Sequence, residues 1–360
     1  MGGISECQGR FGAQGCVAVV AGWAVILGLG CGQARYHRGP VTENFDGLRF
    51  RNPEGPPQDK SYAQFLRWQL NRDRGPWERR GLPEGLKSPE ERVGDGRLVV
   101  TFVNHATVLI QMDGLNILTD PLWSRRASPV SWAGPRRYVP PGVAWEDLPP
   151  IDVVLISHNH YDHFDTPTLR RLAKRDSPRI IVPLGDGTIL RREAIPGGEE
   201  LDWWQSVEIA DGVSVTLTPK NHWSARGTRD RFASLWGGFV IDSADSGVVY
   251  YAGDTGYGGF YGAVRERFGA PRLALLPIGA YKPRWFMQEN HQDPAEAVRA
   301  HQVLGAKRSL AVHWGTFRLG DDGQDEPAQE ARWALQDAGL SEEEFWLLLN
   351  GESREVPLVE

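Results

Sequence analysis

The stretch His158-Asn159-His160-Tyr161-Asp162-His163 carries the densest set of metal-ligating side chains in the chain. His158 and His160 are two positions apart, as are His160 and Asp162. In a short loop after a strand, that spacing turns several donors toward one point. Imidazole and carboxylate groups suit zinc, manganese or iron. Three further sites carry donors of the same kind: Asn221-His222-Trp223, Gly253-Asp254-Thr255 and Val312-His313-Trp314. Any one of them reads as an ordinary loop residue. Four strand-end positions that all carry good ligands read as a metal centre. No cysteine follows Cys31, so neither a thiolate ligand nor a thiol nucleophile is available in the body of the chain. Zinc, held by nitrogen and oxygen, is the first expectation, with manganese or iron also compatible.

The elements that must position these residues are legible as short apolar runs bounded by turn residues. Strands are expected at 98–102, 106–111, 115–119 and 151–157, the last running straight into the histidine cluster. Further strands are expected at 180–183, 213–219, 239–241, 248–252, 273–278 and 309–312. Helices are expected at 61–70, 166–175, 293–304 and 327–338, with Pro167 suited to a first turn. Strand-rich halves separated by helices predict an α/β architecture of sheets covered by helices. The candidate ligands sit just past strand ends, where a rigid frame aims loop residues into one site.

The 360 residues carry a formal net charge of -6, and the pairs Arg79-Arg80, Arg125-Arg126 and Arg136-Arg137 are too short for a phosphate-tracking stripe. A nucleic-acid partner is therefore not expected. Fourteen tryptophans fit core packing and fit an amphipathic pocket or membrane-facing surface equally well. Residues 16–30 are apolar and uncharged, with Arg10 before them and Cys31 directly after. That pattern predicts a signal or short membrane anchor over residues 1–34, with lipoprotein processing at Cys31 or a misplaced start site as alternatives. A membrane-associated or periplasmic, bacterial location follows as an expectation. Residues 35–96 are rich in Pro, Gly and Arg and lack a core of their own, so they read as an extension wrapped on a main domain spanning 97–350.

With these motifs in view, the sequence resembles the metallo-beta-lactamase-fold family, whose hallmark is His-x-His-x-Asp-His. It is most similar to the branch containing the N-acylphosphatidylethanolamine-hydrolysing phospholipase D. Supporting stretches include Asn104-His105-Ala106-Thr107, Leu118-Thr119-Asp120-Pro121, His222-Trp223-Ser224, Gly253-Asp254-Thr255-Gly256, Pro283-Arg284-Trp285-Phe286-Met287 and His313-Trp314-Gly315. The resemblance implies an αββα sandwich of two mixed sheets. It implies that His158, His160 and His222 bind one zinc and that Asp162, His163 and His313 bind another, with Asp254 bridging. It further implies that His105 supports the loops, that Asp120 accepts a hydrogen bond from a ligand or fixes its turn, and that His291 faces the substrate. Asp162, Asp254 and His291 are then the catalytic candidates. The implied activity is zinc-dependent phosphodiester hydrolysis through a hydroxide shared by two metals, on N-acylphosphatidylethanolamine or a related phospholipid presented at a membrane surface. A metal-dependent lactonase or other small-molecule hydrolase is the alternative, and a non-enzymatic lipid-binding protein a third. A homodimer is compatible with the sequence.

Overall fold

The computed structural model describes residues 19–20, 23–24, 35–54 and 60–358. Near the N terminus, β1 (Val19–Val20) pairs antiparallel with β2 (Trp23–Ala24). This corrects the expected membrane anchor: the four described residues of the apolar run are extended, and no helix among the described residues is long and apolar enough to cross a membrane. Length is the physical reason, since fifteen helical residues would rise only ~22 Å against a hydrocarbon core of ~30 Å. The membrane-associated or periplasmic location, and the signal read from the same run, lose their support. Cys31 and its lipoprotein-like context lie outside the described residues.

Helix α1 (Tyr62–Leu70) begins with a capping box, in which Ser61 accepts from the Gln64 backbone and Gln64 reaches back to Ser61. Its Trp68 is buried against the body. Upstream, Phe45 and Phe50 are also buried and join the central core.

The body holds two seven-stranded sheets. The first is built from β3 (Leu98–Asn104), β4 (Thr107–Met112), β5 (Leu115–Thr119), β6 (Val153–Leu155), β7 (Arg179–Pro183) and β8 (Gly198–Leu201), closed at its other edge by the C-terminal β16 (Ser353–Val356). The second is built from β9 (Ser206–Ala210), β10 (Val213–Thr218), β11 (Gly238–Ser243), β12 (Gly247–Tyr251), β13 (Leu273–Pro277), β14 (Arg308–Val312) and β15 (Phe345–Trp346). Each sheet is antiparallel on one side and parallel on the other, with the switch at the β5–β6 pair in the first and at β12–β13 in the second. Both are mixed sheets, as the αββα expectation requires.

Burial follows the layers. Val100, Phe102 and Ile110 of the first sheet pack with Val215, Ile241, Tyr251 and Leu275 of the second in one continuous core. The opposite face of the first sheet, with Leu109, Leu118, Val154 and Ile180, is covered by Leu169 and Leu172 of α2 (Thr166–Arg175) and by Leu190 of α3 (Asp186–Arg192). The second sheet carries α4 (Phe260–Phe268), α6 (Pro294–Leu304) and α7 (Glu326–Ala338), while the single turn α5 (Arg284–Met287) lies between β13 and α6. Helix α6 starts on the Asp293–Glu296 capping box with Pro294 in its first turn and stops at Gly305, whose φ of 59° a β-carbon would strain. Each fully buried Leu, Ile or Phe in these layers contributes roughly 1.5–3 kcal/mol.

Most expected elements are present within one or two residues. The elements not expected are the pair β1 and β2, the short helices α3, α4 and α5, and the four edge strands β15, β16, β8 and β9. Glu199, Glu200 and Glu208 interrupt their apolar pattern because an edge strand faces solvent.

Candidate metal centre

All the candidate ligands emerge at one end of the sandwich. His105 forms the turn between β3 and β4, and Asp120 follows β5. The 158–163 loop follows β6, His222 follows β10, Asp254 follows β12, and His313 follows β14. His105, Asp120 and His313 all have positive φ, of 50°, 34° and 62°, a strained backbone typical of functional sites. The two sheets are stitched together here, where the His313 amide donates to the His105 carbonyl at 2.6 Å.

Two donor groups result. In the first, His158 Nε2 lies 2.9 Å from His160 Nδ1, which lies 3.4 Å from His222 Nε2. In the second, Asp162 Oδ2 is 3.3 Å from both His163 Nε2 and His313 Nε2, and Asp254 Oδ2 is 3.1 and 2.9 Å from the same two nitrogens. Tetrahedral zinc, with bonds of about 2.0–2.1 Å, holds its ligand atoms about 3.3 Å apart. Both spacings match that figure. Asp254 Oδ1 is buried with no hydrogen-bond partner among the described residues, so a carboxylate whose other oxygen faces the second group keeps one oxygen for another Lewis acid. The donor set fits one or two divalent cations.

The outer partners fix which ring nitrogen faces inward. His163 Nδ1 lies 2.6 Å from Asp120 Oδ2, His158 Nδ1 lies 2.9 Å from Ser157 Oγ, and His222 Nδ1 lies 2.9 Å from the Asn290 carbonyl. A carboxylate or carbonyl only accepts, so His163 and His222 each carry a proton on Nδ1 and turn Nε2 toward the other donors. Ser157 Oγ donates to Asp120 Oδ2 at 2.6 Å, so it accepts from His158 Nδ1 with the same consequence. Holding the tautomer from outside is the usual support of a metal-bound imidazole.

Burial and mutual repulsion hold His158 and His222 well below the ordinary histidine range, and burial takes His160 down to about 3. Neutral rings are the form that binds a metal. Burial also opposes charge on His163, but Asp254, Asp162 and Asp120 outweigh it and hold that ring well above its ordinary value. The carboxyls of Asp162 and Asp254 are pulled far down by His163, against the effect of burial. The acids and imidazoles of the second group thus offset one another's charge.

The structure places each candidate as follows. His158, His160 and His222 form one group, and Asp162, His163, His313 and Asp254 meet in the other. His291 joins His222 and Asp254, with its Nδ1 3.9 Å from Asp254 Oδ2. His105 stands with Asp162, His163 and His313 in that second group, its Nε2 3.0 Å from Asp162 Oδ2. Two contributors escaped sequence reasoning. Tyr251 donates its hydroxyl to Asp120 Oδ2. Lys220 is fully buried, and its ammonium feels both Asp254 and Asp120. A tyrosine at the end of a buried strand and a lysine two residues before a candidate ligand were the available signals.

Above the donors lies a cavity of about 390 Å³, floored by His160, Asp162, Asp254 and His291. Its walls include Phe65, Trp68, Trp223, Phe286, Met287 and Leu319. The tryptophans thus divide: Trp236 packs in the core, Trp68 and Trp223 line the cavity, and Trp132, Trp285 and Trp333 are exposed.

Buried imidazole and carboxylate donors, set at one end of two mixed sheets covered by helices, define a metal-dependent hydrolase of the metallo-beta-lactamase fold. Residues 115–314 match the profile of the family described as "Beta-lactamase superfamily domain". The chain belongs to that family. It is 38% identical over 250 residues to N-acyl-phosphatidylethanolamine-hydrolyzing phospholipase D 1 of Caenorhabditis elegans, covering 66% of this chain and 70% of the relative. It is 34% identical over 235 residues to the mitochondrial N-acyl-phosphatidylethanolamine-hydrolyzing phospholipase D of Saccharomyces cerevisiae, covering 64% of this chain and 50% of that protein. Among solved structures, an isothiocyanate hydrolase from Delia radicum gut bacteria superposes with a TM-score of 0.58 at 21% identity, covering 71% of this chain and 98% of that one. That likeness is one of fold.

Proposed function

We propose that the protein is a zinc-dependent phosphodiesterase of phospholipase D type that cleaves N-acylphosphatidylethanolamine or a related phospholipid. The observation that carries this reading is the cavity, in which a polar floor of His160, Asp162, Asp254 and His291 lies beneath walls of aromatic and aliphatic side chains. A substrate with a charged phosphodiester and long apolar chains matches that division. The names of the worm and yeast relatives point to the same substrate. In this reading the catalytic unit is residues 97–350 and residues 35–96 are its extension.

His158, His160 and His222 would hold one metal ion, and Asp162, His163 and His313 the other, with Asp254 between them. Bound there, the metals would supply Lewis acidity and an activated water. The chain's own residues do the rest. Asp162 and Asp254 set the donor spacing and the local negative charge. His105 steadies Asp162, while Asp120, Ser157 and the Asn290 carbonyl hold the ring tautomers. Burial lowers His291 to about 4, so it stands neutral on the cavity floor. From there it donates a hydrogen bond to a phosphoryl oxygen or to the departing alkoxide oxygen. The apolar walls exclude bulk water, which strengthens those polar contacts.

The test is a substrate panel with purified, zinc-loaded protein: N-acylphosphatidylethanolamine, other phospholipids and lactones, presented in mixed micelles. The expected result is metal-dependent release of the N-acylethanolamine headgroup with phosphatidate. Turnover confined to lactones, or full phospholipid turnover by metal-free protein, would overturn the proposal.

A further inference from the structure

One wall of the cavity comes from α1, which precedes the 115–314 region shared with the family. Phe65 and Trp68 of α1 face the cavity together with Phe286 and Met287 of α5. These side chains form a connected surface. Trp68 stacks on Phe286 with centroids 4.7 Å apart, and Phe65 meets Trp68 edge-on at 6.1 Å. Phe65, Trp68 and Phe286 offer the cavity ring faces and edges, because the only polar side-chain atom of Trp68 is engaged elsewhere, while Lys60 and Tyr62 line it beside them.

That engagement is with Asp321, on the loop after β14. The buried Asp321 carboxylate accepts from Trp68 Nε1 at 2.8 Å through one oxygen and from Arg72 Nε through the other. Arg72 also donates to the Gly320 carbonyl at 2.7 Å and lies over the Trp68 ring at 4.3 Å. The Gly75 amide donates to the Asp321 carbonyl at 2.7 Å. A hydrogen bond to the indole nitrogen fixes the rotation of the ring about its own axis, so Asp321 decides which face of Trp68 meets Phe286. Phe65 stands one turn earlier on the same helix and follows that placement.

We infer that α1, fastened by Asp321, is the specificity element of this site, with Phe65 and Trp68 seating an extended apolar substituent while the reacting group rests on the metal-donor floor. Asp321 is a positioning residue and Phe65 a specificity-determining one. The inference rests on the hydrolase reading only for where the reacting group sits.

Two pairs of probes separate the two readings. Methylphosphonate and hexylphosphonate report binding to the zinc-loaded full chain by titration calorimetry, without turnover. The p-nitrophenyl diesters of methyl phosphate and hexyl phosphate report cleavage. Wild-type protein should bind hexylphosphonate at least about tenfold more tightly than methylphosphonate, since several methylenes leave water. Phe65→Ala and Asp321→Asn should bring the hexyl-to-methyl ratio below about threefold, and Phe65→Leu, which refills the wall, should restore most of it. Near-UV circular dichroism selects variants that keep their fold; should Asp321→Asn not fold, the Phe65→Ala and Phe65→Leu pair decides. Equal affinity for the two phosphonates in wild type, or a ratio untouched by these substitutions, overturns the inference. A preserved phosphonate ratio with neither diester cleaved sinks the phosphodiesterase reading and leaves this one standing.

Discussion

His163 Nδ1 and Asp120 Oδ2 are 2.6 Å apart, both fully buried, and joined from two different strand ends. Asp120 also accepts from the Ser157 amide at 2.7 Å, the Ser157 hydroxyl and the Tyr251 hydroxyl. One carboxylate thus orients His163 directly and His158 through Ser157, one ring in each donor group. Asp120→Asn presents an amide that cannot accept all of these bonds. We expect it to weaken zinc binding about 10- to 100-fold, measured by competition with a chromophoric chelator. Unaltered affinity would show that the rings hold their tautomers without Asp120.

Asp254 turns Oδ2 to the second donor group and leaves Oδ1 unpartnered among the described residues. Asp254→Ala should lower the metal content of both groups and, on the proposed function, abolish phospholipid turnover. Metal analysis of the dialysed protein by mass spectrometry checks the first effect. Retention of two equivalents of zinc would rule out its place between the metals.

Gly253 has φ of 60°, and a β-carbon there would lie 2.5 Å from Lys220 Nζ and 2.7 Å from Ser157 Cβ. Gly253→Ala therefore combines backbone strain with a clash against two buried groups that flank the donors. The expected cost is about 1–3 kcal/mol from the strained backbone, and more if Lys220 cannot yield. Chemical denaturation of the metal-free variant measures it without a contribution from bound ions.

Asp186 is buried beneath the ligand loop, where it accepts from Asn159 Nδ2 at 3.0 Å, and burial pushes its carboxyl up to about 8. The folded state therefore prefers the protonated acid. Stability from this group is complete below the unfolded carboxyl range near 4 and declines as pH rises toward 8. Asp186→Asn keeps the acceptor for Asn159 and removes the ionisation. Between pH 5 and pH 8.5 the wild type should lose at least ~1 kcal/mol more than the variant, each pKa unit being worth about 1.4 kcal/mol. Parallel pH dependence of the two urea midpoints would count against a buried neutral acid.

Seven of the nine histidines meet in this one centre, and the strand-ending runs before His158, His222, Asp254 and His313 already marked those positions. They were legible because a buried strand followed at once by a polar donor is a local pattern. The wall formed by α1 was not legible, because Phe65 and Trp68 look like the apolar side of any surface helix until Asp321, 253 residues beyond Trp68, is brought to the indole nitrogen. Tyr251 and Lys220 were hidden for a similar reason, since a polar atom inside a strand-end segment has no visible partner in one dimension. The apolar run at 16–30 misled in the opposite direction: composition alone cannot say whether a short greasy stretch is long enough, or helical enough, to cross a bilayer.

The amino-acid sequence by itself determined the kind of chemistry. With histidine and carboxylate donors and no cysteine after position 31, the body of this chain can hold a metal only through nitrogen and oxygen. Only the tertiary structure decided how those donors divide into two groups, which ring nitrogens face inward, and what surrounds the substrate. Those properties depend on distances of about 3 Å between side chains from different sheets, and such distances are set by how the two sheets and α1 pack, not by spacing along the chain.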